Sequence, residues 1–422
     1  MTTLRTQHHA IASSEEGRLS RWLKPRVLGH LAKLKHGHIT LIDGHERHLL
    51  GEDGELSVTL VVRHSRAWKR MAMGGSVGAA EAYMEGDWDV DDLVGLIRLF
   101  ALNIDQVNDD VERGVASLGR LLLSGLLRLQ RNSRKGAKRN IAAHYDIGND
   151  LFETFLDREH WMYSSAVFPS PDASLEEAST HKLDVMLDKL DVQPHHHLLE
   201  IGTGWGGLAI HAAKTRGCRV TTTTISEEQY QHTARRLAEE GLDDQVTLLK
   251  QDYRELSGRY DRIVSVEMIE AVGADYLPLY LKTLDTLLAP RGLVLLQAIT
   301  VRDQRYEAAR KEMDFIKRYI FPGGFLPSPT VLLTQLTRHT SLNLIDLDDI
   351  GMHYARTLRE WRHRFEANLD RVARLGYDER FIRMWRYYLC YCEAAFLERT
   401  ISTCHLLLAK PDARPPTRLG RP

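Results

Sequence analysis

Gly202, Gly204, Gly206 and Gly207 stand close together directly after the apolar run HLLEI (197–201), and a helical pattern follows them. A strand that stops in glycines and restarts as a helix makes a tight turn. A ligand can approach its backbone closely, because no Cβ stands in the way. Gly202, Gly204 and Gly207 also satisfy the dinucleotide spacing G-x-G-x-x-G. A nicotinamide dinucleotide needs a further acid roughly 20 residues on, at the end of the second strand, to hold a ribose. Here that stretch is TTTTISEEQ (221–229), with Thr224, Ser226 and Gln229 where the acid would stand. The acid lies instead at Glu200, two residues before the first glycine. That placement suits a methyltransferase, where the carboxylate meets the methionine end of S-adenosylmethionine.

The elements that would position this loop are a β–α–β series. The strand candidates are HLLEI (197–201), RVTTTTI (219–225), VTLLK (246–250), DRIVSVE (261–267) and LVLLQAI (293–299), separated by helical stretches. Strands alternating with helices predict an α/β fold, a doubly wound parallel sheet with helices on both faces. LNLIDLDDI (342–350) is a further strand candidate, 357–400 a long helical segment, and HLLLAK (405–410) a last strand. Upstream, residues 37–64 alternate as short strands between glycines, and 68–100 run as helix, glycine turn, helix, turn, helix. The expected organisation is a small α+β amino-terminal domain (1–120), a basic linker (121–140), a catalytic domain (141–412) and a flexible tail (413–422).

Two domains agree with a length of 422 residues. The net charge of -1 does not favour nucleic acid as a partner. The four cysteines, Cys218, Cys390, Cys392 and Cys404, form no zinc-type spacing, so no metal is expected. Few cysteines and no signal-peptide pattern point to the cytoplasm. No apolar run approaches the ~20 residues of a membrane span, so any lipid must be reached from the water side. The linker carries Arg131, Arg134, Lys135, Lys138 and Arg139, which read either as a solvated connector or as a patch suited to an anionic phospholipid surface at the inner membrane face.

Nine motifs occur in order: HYDIGNDLF (144–152), MYSSAVF (162–168), LEIGTGWGG (199–207), TISEEQ (224–229), QDYRE (251–255), DRIVSVEMIEAVG (261–273), KRYIFPGGFLPS (317–328), GMHYARTL (351–358) and YYLCYCEAAF (387–396). In these the chain resembles the cyclopropane-fatty-acyl-phospholipid synthases and the related mycolic acid methyltransferases. The resemblance is close over residues 140–410 and weaker over the amino-terminal domain. It implies a class I methyltransferase fold with helical lid insertions, S-adenosylmethionine as cofactor, and unsaturated phospholipid acyl chains as substrate, with a homodimer as the candidate assembly. It places Tyr163, Ser164, Gly202, Thr203, Gly204, Gly206 and the segment from Thr224 through Ser226 to Gln229 around the cofactor, and Asp252, Tyr253 and Arg254 beside the adenine. HYDIGN would form a lid helix over the cofactor, with His144, Tyr145 and Asp146 near the acyl site, where Tyr319 and Ile299 would also meet the substrate.

An alkene is a poor nucleophile, so alignment with the methyl donor and exclusion of water carry much of the rate. The carbocation that results can be stabilised by aromatic faces; the resemblance puts Tyr354 there, with Tyr163 and Tyr319 in support. In members that use bicarbonate as base, a Cys, a Glu, a His, a backbone amide at an Ile and a Tyr hold the ion. Carried over by resemblance, the Glu is Glu270, the Ile is Ile299 and the Tyr is Tyr354, but Ser165 replaces the Cys and Gln297 the His. A third departure explains both: VSVEMIEA puts Glu267 where the bicarbonate pattern VSVGMFEH has glycine. The Glu267 side chain would occupy the anion's space and repel it. Glu267 is therefore expected to be a built-in base, oriented by Gln297, Ser165 and Tyr354, in place of bicarbonate. Cys392 also matches a family cysteine and is expected to be a buried helix residue rather than a nucleophile.

The expected product is a cyclopropane fatty acid. The same carbocation can instead give a methylene branch, which a reductase would turn into a methyl branch, or feed a methyl-furan lipid. A small-molecule N- or O-methyltransferase and a non-catalytic lipid-binding protein are more remote; HYDIGND and RYIFPGG oppose the first and the glycine loop the second.

Overall fold

A computed structural model describes residues 17–104 and 148–414. The basic linker, His144, Tyr145 and Asp146, and the tail beyond 414 lie outside the described residues. The chain divides into two units: residues up to 104 with Asp378–Ala394 form one, and 148–377 with 395–414 the other.

In the first unit, strands β1 (Gly37–Asp43), β2 (Glu46–Gly51), β3 (Leu56–Val62) and β4 (Trp88–Val90) form a sheet in the order β2-β1-β3-β4. The alternation is visible in β3, where Leu56, Val58, Leu60 and Val62 face inward and the residues between them do not. The helix Arg66–Met84 is broken at Gly75, whose φ of 55° and ψ of -136° are not helical. The glycine turn expected in the sequence is this break. β4 lies where only a turn was expected; it is three residues long, too short to show periodicity. Asp87 is buried and bound by Arg66 (2.5 Å) and Arg70 (2.6 Å), so the charge is paired.

The second unit is built on seven strands: β5 (His197–Ile201), β6 (Arg219–Thr224), β7 (Val246–Lys250), β8 (Tyr260–Val266), β9 (Leu288–Val301), β10 (Asn343–Asp349) and β11 (Ile401–Ala409). Their order is β10-β11-β9-β8-β5-β6-β7. β5 to β9 are parallel, and β11 runs antiparallel to both neighbours. Apolar runs serve both faces. Leu198, Val264, Leu293 and Leu295 join one core cluster, while Leu199, Ile263, Val294 and Leu296 join the other. The chain goes outward from β5 through β6 to β7 and returns to β8 beside β5. That reversal opens a crevice at the carboxyl ends of β5 and β8, where ligands gather in such sheets.

Two expectations are corrected here. The single helical segment 357–400 is three helices, Gly351–Ala367, Leu369–Arg374 and Glu379–Leu397. Gly376, with φ of 96°, lies in the break before the last of them. β11 begins at Ile401, four residues before the predicted strand, which puts His405 in its middle.

Candidate active site

The glycines after β5 do different work. A Cβ on Gly202 would lie 2.8 Å from Met268 Cγ, one on Gly206 2.8 Å from Thr233 Cγ2, and one on Gly207 2.4 Å from the His160 carbonyl oxygen. These three are small because protein packs against them. Gly204 has φ of 53° and open space around its Cβ position. It is the glycine that leaves room for something other than protein. Next to it, Thr203 and Thr222 hydroxyls bond at 2.7 Å, and the Thr222 hydroxyl donates to Glu200 Oε2 at 2.6 Å. Burial pushes the Glu200 carboxyl up to about 8.

At the end of β6 the Thr224 hydroxyl donates to Gln229 Oε1 (2.8 Å), and Ser226 caps the helix Glu227–Glu240 through the Gln229 N–H. Beyond β7, Asp252 holds Arg254 by two bonds of 2.8 and 2.6 Å, and the Arg254 guanidinium lies over Tyr253 and Tyr276. Tyr253 is buried edge-on to Tyr280. Tyr163 stacks on Trp361 (5.3 Å) and meets Phe152 edge-on (5.0 Å). Buried Ser164 accepts from Lys182 Nζ at 2.9 Å. Loop ends from three neighbouring parallel strands thus converge on the side of the crevice that Gly204 leaves open.

Glu267 directly follows β8, with φ of 50°. Such a conformation favours glycine and costs other residues about 1–2 kcal/mol. The residue is partly buried, and its carboxylate is met by three donors. The Ser165 backbone N–H (3.0 Å) and Gln297 Nε2 (2.8 Å) bind Oε1, and the Tyr354 hydroxyl (2.8 Å) binds Oε2. It is the amide of Ser165, not its hydroxyl, that makes this contact; the hydroxyl donates to the Ala166 carbonyl. Burial pushes the Glu267 carboxyl upward, against the pull of these donors and of Lys182. The Tyr354 ring lies against Phe396 (4.5 Å) and edge-on to Trp361 (6.0 Å).

Glu270 sits beside it. Its Oε1 accepts from the Ile299 backbone N–H at 2.5 Å, and its buried Oε2 has no hydrogen-bond partner among the described residues. Burial and the neighbouring Glu267 charge push Glu270 up to about 8, so it keeps its proton at neutral pH. The amide that the resemblance assigns to an external anion is therefore engaged by a side chain of the protein itself.

The structure thus brings Glu267, Gln297, Tyr354 and the Ser165 amide together, with Glu270 and Ile299 adjoining. Tyr319 lies in a π-helical turn, Ile316–Ile320, against Phe315 and Arg318. Cys392 is half-buried, not buried as expected, and lies on the part of its helix assigned to the first unit.

Two residues were missed in the sequence. Lys182 is fully enclosed, and burial lowers it to about 8 with Glu267, Asp157 and Glu200 around it. Its signal was legible: Leu175, Ala178, Lys182 and Met186 fall on one helical stripe, so the lysine stands on an apolar face. His405 is buried, with Nε2 at 3.1 Å from Gln297 Oε1. Nothing local announces it, because the partner is 108 residues away and is set by β9–β11 register.

The chain is similar to known proteins in sequence and in structure. A family model described as mycolic acid cyclopropane synthetase matches residues 132–406. The tuberculostearic acid methyltransferase UfaA1 of Mycobacterium tuberculosis is 42% identical over 335 residues, covering 78% of this chain and 77% of its own. The cyclopropane-fatty-acyl-phospholipid synthase of Escherichia coli K12 is 34% identical over 358 residues, 85% of this chain and 89% of its own. Among solved structures, the mycolic acid cyclopropane synthase CmaA1 complexed with S-adenosylhomocysteine (SAH) and CTAB is 28% identical. It superposes with a TM-score of 0.60 over 65% of this chain and 98% of that one.

Proposed function

Because this chain belongs to the mycolic acid cyclopropane synthetase family, S-adenosylmethionine-dependent methyltransferases of the cyclopropane synthase type, we propose that it adds one carbon to the double bond of an unsaturated phospholipid acyl chain, with Glu267 as the base and a cyclopropane as the product. The observation that carries this reading is the Glu267 carboxylate, gripped by three donors at the end of a central parallel strand.

The open backbone at Gly204 and the polar ends of β6 and β7 fit the cofactor. Bound there, S-adenosylmethionine supplies an electrophilic methyl group. The Tyr163, Trp361 and Tyr354 rings line the route with aromatic surface, which keeps water out and favours a cationic acyl chain. Glu267 then takes a proton from the former methyl group, and the released C–H electrons close the ring. Ser165, Gln297 and Tyr354 pull that carboxyl back toward its ionised form against the effect of burial. Glu270, protonated at neutral pH, puts no second charge beside it.

A second reading is favoured by the similarity to a tuberculostearic acid methyltransferase. A hydride shift along the acyl chain, followed by loss of the same methyl proton, leaves a methylene branch for a separate reductase. Mass spectrometry of acyl chains after incubation with unsaturated phospholipid and cofactor tests both. Each product gains one CH2, but ozone cleaves the methylene and spares the ring. Acyl chains that gain no carbon would overturn the proposal.

A further inference from the structure

We infer that His405 is a positioning residue for the base: its ring N–H fixes the orientation of the Gln297 amide, and Gln297 thereby holds Glu267. The inference rests on Glu267 being the base.

A glutamine amide has two ends of opposite character, and an unconstrained one can present either to a carboxylate. Presented with its oxygen, Gln297 would set an acceptor against Glu267 Oε1. Presented with its nitrogen, it donates, as the 2.8 Å contact requires. The Ser165 carbonyl oxygen, 3.5 Å from Gln297 Nε2, weakly favours the same end, and the stronger restraint lies on the far side. Gln297 and His405 are directly paired across β9 and β11, and His405 Nε2 lies 3.1 Å from Gln297 Oε1. Burial lowers the His405 ring to about 3, so it is neutral and carries one N–H. Nδ1 is buried with no hydrogen-bond partner among the described residues. An orphaned acceptor is cheaper than an orphaned N–H, so the proton belongs on Nε2. The result is a one-way chain in which His405 donates to Gln297 and Gln297 donates to Glu267. The charged and titratable groups around it are Lys182, Lys189, Asp348 and His353 near His405, and Lys182 and Glu270 near Glu267.

Without the His405 donor, only the long Ser165 carbonyl contact orients the Gln297 amide, and Glu267 loses one of its three hydrogen bonds in part of the population. A hydrogen bond to a buried charge is strong enough that its loss should slow turnover about 10- to 100-fold. The sign on pH follows: a donor holds the carboxyl pKa down, so losing it moves the acid limb of the kcat profile to higher pH.

The test compares His405→Phe, which fills the space without a donor, with His405→Gln, whose amide nitrogen reaches the former Nε2 position. His405→Phe should lower kcat about 10- to 100-fold, shift the acid limb upward, and leave SAH affinity unchanged. His405→Gln should recover most of both effects. In a Glu267→Gln background, where no carboxylate remains to be held, His405→Phe should cost little more. Should the phenyl ring abolish SAH binding, His405→Asn replaces it; its amide is too short to reach, and the same losses are expected. The inference is overturned by kcat within twofold of the parent, by an unmoved acid limb, or by a full additional loss in the Glu267→Gln background. A fully active Glu267→Gln enzyme would instead remove the base assignment on which it rests.

Discussion

In the proposed reading Glu267 stands in for a small, mobile external base; it is fixed to the backbone at φ of 50° and held by three donors. Its pKa is raised by burial and restrained by hydrogen bonds, so activity should fall on the acid side at a pH above the ordinary glutamate value of about 4.3. Tyr354→Phe removes one restraint. A kcat profile of that variant should show its acid limb at higher pH than the parent; an unchanged limb would mean that the tyrosine does not act on the base. The departure at 267 was legible because it breaks a motif at a fixed spacing, and the neighbouring changes at 165 and 297 pointed the same way. The engagement of the Ile299 amide by Glu270 was not, since it depends on how the turn after β8 meets β9.

The glycine loop is the element whose role is most sharply divided. Gly204→Val adds a side chain into space that no protein atom fills, although its φ of 53° suits valine poorly. The variant should fold and lose cofactor binding, measured by calorimetry with SAH; unchanged affinity would remove the loop from the cofactor site. Gly207→Val should behave differently. Its Cβ would sit 2.4 Å from the His160 carbonyl oxygen, so stability should fall, seen as a lower Tm. Most strands were legible because their buried runs are apolar or, in β6, β-branched threonine; the three-residue β4 was not. Residues 357–400 were misread as one helix because three helices carry the same apolar periodicity, while the stop at Gly376 is a single residue.

At the scale of the whole molecule, length and pattern raised the expectation of two domains split at a basic linker. The assignment of Asp378–Ala394 to the first unit was not legible, because it rests on contacts such as Arg383 with the Tyr83 and Trp88 carbonyls, some 300 residues apart in the chain. Among the described residues no helix is long and apolar enough to cross a membrane. For a lipid acyl substrate, the proposed membrane contact is the basic run 131–139. Replacing Arg134, Lys135, Lys138 and Arg139 with Gln should weaken sedimentation with anionic phospholipid vesicles, and salt should mimic the change in the parent. Equal binding before and after would leave the run a plain connector.

The central claim is that the base is part of the chain, and assay in bicarbonate-depleted buffer tests it most directly. The parent should keep its turnover when bicarbonate is removed or added. Glu267→Gln should lose about 10²–10⁴-fold in kcat with SAH affinity intact. Glu267→Gly, relieved at φ of 50°, should regain part of its activity when bicarbonate is supplied. A parent enzyme that stops when bicarbonate is stripped out, or a Glu267→Gln variant with normal turnover, would contradict the account and return Glu270 to the leading place.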